Sequence, residues 1–268
     1  MKRVLSIQDI SCIGKCSQTV ALPVISAMGI ETAILPTAVL SAHTAFDGFT
    51  FKDLTDEMPK IMRHWDSMNI KFDAIYTGYL GSEKQVEIVE EIFEKHKEAL
   101  IMVDPVMGDN GRLYTGFEPE FAQYMKKLCR YADVILPNIT EASYLTGEKY
   151  IENGGKEYIC RLAEKLLALG AKNVVITGVT ESSRVGALLY NEKESFEYLT
   201  DKVNKSFHGT GDVFAAAFCG AAISGKNYKE AVKCAADFTL ESIKCTDESN
   251  WYSINFEKAL PKLIESIR

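Results

Sequence analysis

The 268-residue chain predicts an α/β fold built on a mostly parallel sheet. Short apolar runs of strand type alternate with longer helical patterns for most of the length, which is the rhythm of that class. The middle runs are almost unbroken in apolar residues, as befits strands covered by helices on both faces. Only late in the chain does the pattern switch to short alternating segments.

In order, Arg3 to Gln8 reads as a strand and is followed by a loop around Gly14. A helix runs from about Gln18 to Met28, stopped by Gly29, and Thr32 to Val39 forms the second strand. A helix between two strands is the connection that a parallel crossover needs. Further strands are expected at Phe72 to Tyr76, Leu100 to Val103, Asp133 to Leu136 and Lys172 to Ile176. Charged helical stretches such as Glu83 to Lys97 and Cys160 to Leu169 lie between them. Val185 to Tyr190 and Ser195 to Leu199 alternate around Asn191-Glu192-Lys193-Glu194, predicting an antiparallel hairpin. Helices starting near Asp212 and Tyr228 then complete the pattern. With no internal repeat, low-complexity tract or Pro/Gly/Ser-rich linker, residues 1–268 are expected to form a single domain.

Composition narrows the function. Hydrophobic residues make up 47% and charged residues 25%, an ordinary soluble balance. The net charge of −7 lacks the positive excess that non-specific nucleic-acid binding requires, so no nucleic-acid partner is expected. The 7 cysteines are odd in number and scattered without a CxxC pair, which predicts free thiols in a reducing cytoplasm. The first residues run straight into a strand containing Gln8 and Asp9, unlike a signal peptide, and no apolar run is long enough to span a bilayer.

The sharpest chemical segment is His208-Gly209-Thr210-Gly211-Asp212, followed by an Ala-rich apolar helix. The glycines let the backbone approach a ligand closely, and the N–H groups at a helix start face an anion. Phosphoryl transfer spreads negative charge over oxygens, so such donors suit a transferred phosphate, with Asp212 able to take a proton from an attacking hydroxyl. A plainer role for Asp212 is helix N-cap. Neither GxxxxGK[ST] nor a GxGxxG after the first strand occurs, so the common nucleotide fingerprints are absent and a nicotinamide-dependent oxidoreductase is disfavoured. Two acidic segments follow strands: Asp104 after Val103, and Asn138 with Glu141 after Leu136-Pro137. Hard oxygens there suit Mg²⁺ carrying nucleotide phosphates, although a turn at Asp104 and a cap by Asn138 or Thr140 would also explain the spacing.

Together these segments resemble the ribokinase-like superfamily, and within it the vitamin B6 kinases, nearly end to end. The resemblance rests on Ser6-Ile7-Gln8 with Gly14, Ser41-Ala42-His43-Thr44, Thr77-Gly78-Tyr79-Leu80-Gly81-Ser82, Asp104-Pro105-Val106-Met107-Gly108, Pro137-Asn138-Ile139-Thr140-Glu141 and Gly209-Thr210-Gly211-Asp212, in that order. It implies a three-layer α/β/α fold, ATP as co-substrate, Mg²⁺ and a possible monovalent cation, and a homodimer. By resemblance Asp212 is the general base, and the backbone from Gly209 through Thr210 and Gly211 forms the anion hole. Asp104 and Glu141 would organise Mg²⁺ largely through water, beside the nucleotide. Asn138, Thr177 and Thr210 would contact ATP phosphates, with Tyr114 on the phosphate side. Asp9, His43, Thr44 and Tyr79 would line the pyridine pocket, though taken alone His43 and Tyr79 read as structural residues.

Two positions depart from the family pattern: Asp9 stands where many B6 kinases have Ser, and Ser17 where a second glycine is common. Asp9 could pair with a protonated ring nitrogen or with the amine of pyridoxamine. The rival expectation is hydroxymethylpyrimidine or phosphomethylpyrimidine kinase, with a similar fold and reaction. The Ala42-His43-Thr44 and Gly78-Tyr79-Leu80-Gly81-Ser82 segments favour B6 kinase. A non-catalytic relative would be expected to lack the carboxylates at 104, 141 and 212, and all three are present.

Overall fold

A computed structural model of the chain describes residues 1–205, 207–247 and 249–267. The first half runs β1 (Arg3–Ser11), α1 (Gln18–Ala27), β2 (Glu31–Leu40), β3 (Phe51–Asp53), α2 (Met58–Ser67), β4 (Ala74–Thr77), α3 (Glu83–Lys95), β5 (Leu100–Val103), and a small hairpin of β6 (Gly108–Asp109) and β7 (Arg112–Leu113). The second half runs α4 (Phe121–Cys129), β8 (Val134–Ile135), α5 (Ile139–Thr146), α6 (Gly155–Ala168), β9 (Val174–Glu181), β10 (Arg184–Tyr190), β11 (Ser195–Asp201), α7 (Thr210–Ile223), α8 (Tyr228–Lys244), a 3-10 turn (Phe256–Ala259) and α9 (Leu260–Ser266).

Nine strands form one sheet in the order β11-β10-β9-β8-β5-β4-β1-β2-β3. The strands from β9 across to β2 are parallel, while β3, β10 and β11 add antiparallel edges. From β1 the chain moves to β2 on one side and later returns to β4 on the other. Such a switch opens a crevice at the carboxyl ends of the strands, which is where open α/β sheets bind ligands. Two apolar clusters line the two faces of the sheet, one beneath α2 to α6 and the other beneath α1, α7, α8 and α9. This is the three-layer arrangement expected.

Several boundaries differ from expectation for local reasons. The strand expected from Phe72 begins at Ala74, yet Phe72 is buried, so its apolar signal came from packing. The expected hairpin is part of a three-strand meander, because β9 runs past its parallel pairing with β8 and pairs along β10. The helix expected from Cys160 starts at Gly155, and the one expected to reach Lys97 ends at Lys95. Asp212 is not the N-cap of α7. Gly209 takes that position with a positive φ of 85°, leaving Asp212 in the first turn.

Helix α7 is apolar all round, with Val213 through Ala221 buried, so it stands as an internal wall of the second cluster. Phe218 in its centre is fully buried and stacks on Tyr228, ring centroids 5.9 Å apart. Phe218→Ala should therefore lower unfolding free energy by about 3–5 kcal/mol, the usual cost of deleting a buried phenyl group. Denaturant titration of the variant against the native chain measures it.

Candidate active site

A cavity of about 670 Å³ opens at the carboxyl ends of the strands. It is lined by Asp104, which follows β5, and by Asn138 and Glu141, which follow β8. Thr177 of β9 and Gly209, Thr210, Gly211 and Asp212 at the start of α7 complete that wall, and Tyr114 stands just beyond the β6–β7 hairpin. Three carboxylates far apart in sequence thus share one cleft.

At the head of α7, the first intrahelical bond runs from the Val213 N–H to the Gly209 carbonyl. The N–H groups of Thr210 and Gly211 precede it and lie at the positive end of the helix dipole, an arrangement that attracts anions. Gly209 is required on two counts. Its φ is positive, and a Cβ there would sit 2.0 Å from the carbonyl oxygen of Lys15. The Asp212 carboxylate accepts a hydrogen bond from the Ser17 N–H at 2.9 Å. Burial pushes its pKa up to about 7, the charge of Asp9 adds to the shift, and the Ser17 N–H opposes it.

Glu141 is buried and spans two backbone donors: Oε1 accepts from the Met107 N–H at 3.0 Å and Oε2 from the Asn138 N–H at 2.8 Å. The Asn138 side chain completes a capping box by accepting from the Glu141 N–H at 3.0 Å, and its amide donates to the Gly108 carbonyl at 2.8 Å. Asn138 is thus both helix cap and cavity wall. Burial pushes the Glu141 pKa up to about 8 against its N–H bonds. Asp104 is buried with no side-chain hydrogen bond among the described residues to offset the cost, and burial with the charges of Glu141 and Asp212 holds it well above the usual carboxylate range.

This donor set fits a hard divalent cation. No group of three His, Cys, Asp or Glu among the described residues forms a full cage. Mg²⁺ needs none, because it ordinarily keeps several waters and takes one or two carboxylates plus phosphate oxygens. Asp104 has unshared lone pairs to offer, whereas both Glu141 oxygens are engaged by N–H groups, which suits contact through water.

The residues expected to hold the second substrate lie outside that cavity lining. Asp9, near the end of β1, is buried, accepts a hydrogen bond from the Ser11 hydroxyl at 3.1 Å, and has its pKa raised by burial. The charge of Asp9 helps raise the Asp212 pKa, which places the two carboxylates as electrostatic neighbours. Tyr79 packs against Phe117 at 5.5 Å, and burial with the charges of Asp9 and Asp53 pushes its hydroxyl up to about 12. His43 has no ring nitrogen to spare: Nε2–H donates to the Tyr252 carbonyl at 2.6 Å and Nδ1 accepts from the Ala45 N–H at 3.2 Å. What it can present is the face of its ring. That ring leaves no room at Gly14, where a Cβ would fall 1.8 Å from its Cδ2. Thr44 is exposed.

Two contributors escaped sequence reasoning. Ser17, noted only as a departure from a family glycine, supplies the N–H that fixes Asp212. Lys15 anchors the loop between β1 and α1 by reaching Asn255 and Glu257, each at 2.8 Å, a contact across some 240 residues that leaves no local signal.

An anion-attracting helix start and clustered carboxylates at the mouth of this sheet define a small-molecule kinase of ribokinase-like fold. The chain matches the family described as phosphomethylpyrimidine kinase over residues 22–255. It belongs to the pyridoxal kinase and phosphomethylpyrimidine kinase family, whose members are ATP-dependent phosphotransferases, and it is an enzyme of that kind. A Bacteroides thetaiotaomicron protein crystallised with pyridoxal superposes with a TM-score of 0.92 at 38% identity, covering 98% of this chain and 95% of that one. Pyridoxal kinase from Lactobacillus plantarum gives 0.92 at 30% identity, covering 99% and 97%. The Staphylococcus aureus pyridoxal kinase in complex with AMP-PCP and pyridoxal gives 0.82 at 26%, covering 95% and 92%.

The raised carboxyl groups make stability depend on pH. An acid whose folded pKa exceeds its unfolded value contributes most below the unfolded pKa and loses that contribution as pH rises through the folded one. With Glu141 moving from 4.5 to about 8 and Asp212 from 3.8 to about 7, Tm in metal-free buffer should fall steadily between roughly pH 4.5 and 8. Scanning calorimetry across that range tests it, and a flat profile contradicts the assignment.

Proposed function

We propose that the chain transfers the γ-phosphoryl group of ATP to the 5′-hydroxymethyl group of pyridoxal, pyridoxamine or pyridoxine, with Asp212 as general base. The observation that carries this reading is the position of Asp212. It sits in the first turn of α7, inside the cavity, with a pKa near 7 and one oxygen held by Ser17. A carboxylate poised there takes the hydroxyl proton near neutral pH, while the α7 N–H groups meet the charge on the transferred phosphate. Catalysis is then mainly positioning, since little covalent chemistry falls to the protein.

In this reading Thr210, Thr177 and Asn138 border the ATP phosphates, and Tyr114 stands at the cavity mouth. Asp104 directly and Glu141 through water would hold Mg²⁺, which supplies neutralisation of phosphate charge. Asp9, His43, Thr44 and Tyr79 would surround the pyridine ring, His43 by its ring face. The proposal carries with it, on family resemblance, a homodimer in the cytoplasm, a single domain over residues 1–268 and a possible monovalent cation. Among the described residues no helix is long and apolar enough to cross a membrane.

A second reading, hydroxymethylpyrimidine phosphorylation, is favoured by the description of the matching family. Pyridoxal in complexes of similar fold supports the first. Comparing kcat/KM for pyridoxal, pyridoxamine and hydroxymethylpyrimidine, with ATP and Mg²⁺, decides between them. If Asp9 recognises a cationic nitrogen, Asp9→Ser should erase discrimination between pyridoxamine and pyridoxal, and an unchanged ratio rejects that role.

The base assignment has its own test. Native kcat/KM should rise with pH and level off above about 7, because only the ionised Asp212 accepts a proton. Asp212→Asn should lower kcat by roughly 10²–10⁴-fold, the range for a lost general base, while nucleotide binding persists. Turnover near the native rate in this variant removes Asp212 from the mechanism.

A further inference from the structure

Residues 252–257, between α8 and the 3-10 turn, form a strap that touches three separate loops around the head of α7. The Tyr252 carbonyl accepts from His43 Nε2–H at 2.6 Å, and the Ile254 N–H donates at 3.2 Å to the carbonyl of His208, the residue before Gly209. Asn255 and Glu257 accept from Lys15 Nζ, each at 2.8 Å, and the same ammonium stands 5.8 Å from the centre of the Phe256 ring. The strap is itself firmly seated. Ser253, Ile254 and Phe256 are buried, and the Asn255 N–H donates at 2.8 Å to the Thr246 hydroxyl, which donates in turn to the Ser242 carbonyl of α8 at 2.7 Å.

Lys15 closes these contacts into a ring. Its side chain reaches the strap, while its carbonyl lies so near α7 that a Cβ on Gly209 would fall 2.0 Å from the oxygen. Two residues further on, the Ser17 N–H donates to Asp212 at 2.9 Å. The acceptor-side loop joins the same ring, since the His43 N–H donates to the Ile13 carbonyl at 3.0 Å.

Magnitudes separate a stabilising role from a positioning one. The Lys15 side chain is 24% exposed and that of Glu257 51%, and an ion pair this open adds little to the stability of a whole chain. Holding a loop against a reacting group is a different matter, because rate depends steeply on where that group points.

We propose that Lys15 is a positioning residue: by tying the β1–α1 loop to Asn255 and Glu257, it keeps the Ser17 N–H on Asp212 and so keeps the carboxylate aimed. The proposal rests on the reading of Asp212 as base and extends it to a side chain outside the cavity lining. The α7 N–H groups are fixed by the helix itself, so loss of the tether should appear in turnover and not in KM for ATP.

The test uses Lys15→Met and Lys15→Arg in the full-length protein, with pyridoxal, ATP and Mg²⁺, well below the lowest Tm of the set. Lys15→Met should lower kcat about tenfold, with KM for ATP within about twofold of native. Its Tm should stay within roughly 4 °C of native, as fits the loss of one open ion pair in a chain of this size. Lys15→Arg keeps the charge and the donors, and should recover at least about half of the native kcat. In an Asp212→Asn background Lys15→Met should change kcat by less than about twofold, because the group it positions no longer takes a proton.

A merely structural lysine gives a different pattern. Native kcat in Lys15→Met overturns the proposal, as does an equal loss in Lys15→Arg, a parallel rise in KM for ATP, or full additivity with Asp212→Asn. The Asp212→Asn variant alone separates the two failures. If it loses activity while Lys15→Met keeps it, the inference about Lys15 falls and the base assignment stands; if it stays active, the base assignment falls.

Discussion

The site depends on one docking event, the seating of the β1–α1 loop against the head of α7. Two contacts define it: the Ser17 N–H on Asp212, and the Lys15 carbonyl packed where a side chain on Gly209 would be. The loop is pinned from the other side by Lys15 on Asn255 and Glu257, and by the His43 ring lying over Gly14. Without this docking, α7 would still present its N–H groups, but the carboxylate beside them would have no fixed direction. The constraint is one of shape, since glycine is needed wherever two backbones meet this closely.

Electrostatics then follows from burial. Asp104, Glu141 and Asp212 line one cleft with little water to solvate them, and each is driven toward its neutral form. The helix start supplies partial positive charge on one side of the cleft, and N–H groups compensate Glu141 and Asp212 individually. Asp104 has neither form of relief. A polyphosphate with its cation would complete the balance, because the cation answers the carboxylates and the phosphates answer the helix. Ligand binding thus resolves a tension that folding creates.

The fold was legible because buried parallel strands must be continuously apolar, and β4, β5 and β8 are buried along almost their whole length. Elements defined by pairing alone escaped: β3 is exposed at all three residues, and β6 and β7 have two residues each. Helix α2 escaped as well, since only Met58 and Met62 of it are buried. At the site, Asp104, Asn138, Glu141 and Asp212 could be read because each follows a strand or opens a helix. The plain and functional roles proved compatible for Asn138, which caps α5 and lines the cavity together. For His43 the sequence could not show that its nitrogens are already bound, one of them to a carbonyl 209 positions away. Ser17 differs again: the sequence marks it only as a departure from a family glycine, and its positive φ and its N–H on Asp212 show in the backbone alone.

The tether from Lys15 to Asn255 also bears on biosynthesis. The strands of the sheet are complete by Asp201, and α7 and α8, which fill the second apolar cluster, follow it in the chain. Besides its docking on α7, the loop carrying Ser17 has anchors that follow later in the chain, at Tyr252, Asn255 and Glu257. In order of synthesis, the sheet and the three carboxylates therefore emerge ahead of the residues that pin the loop between β1 and α1 from its outer side.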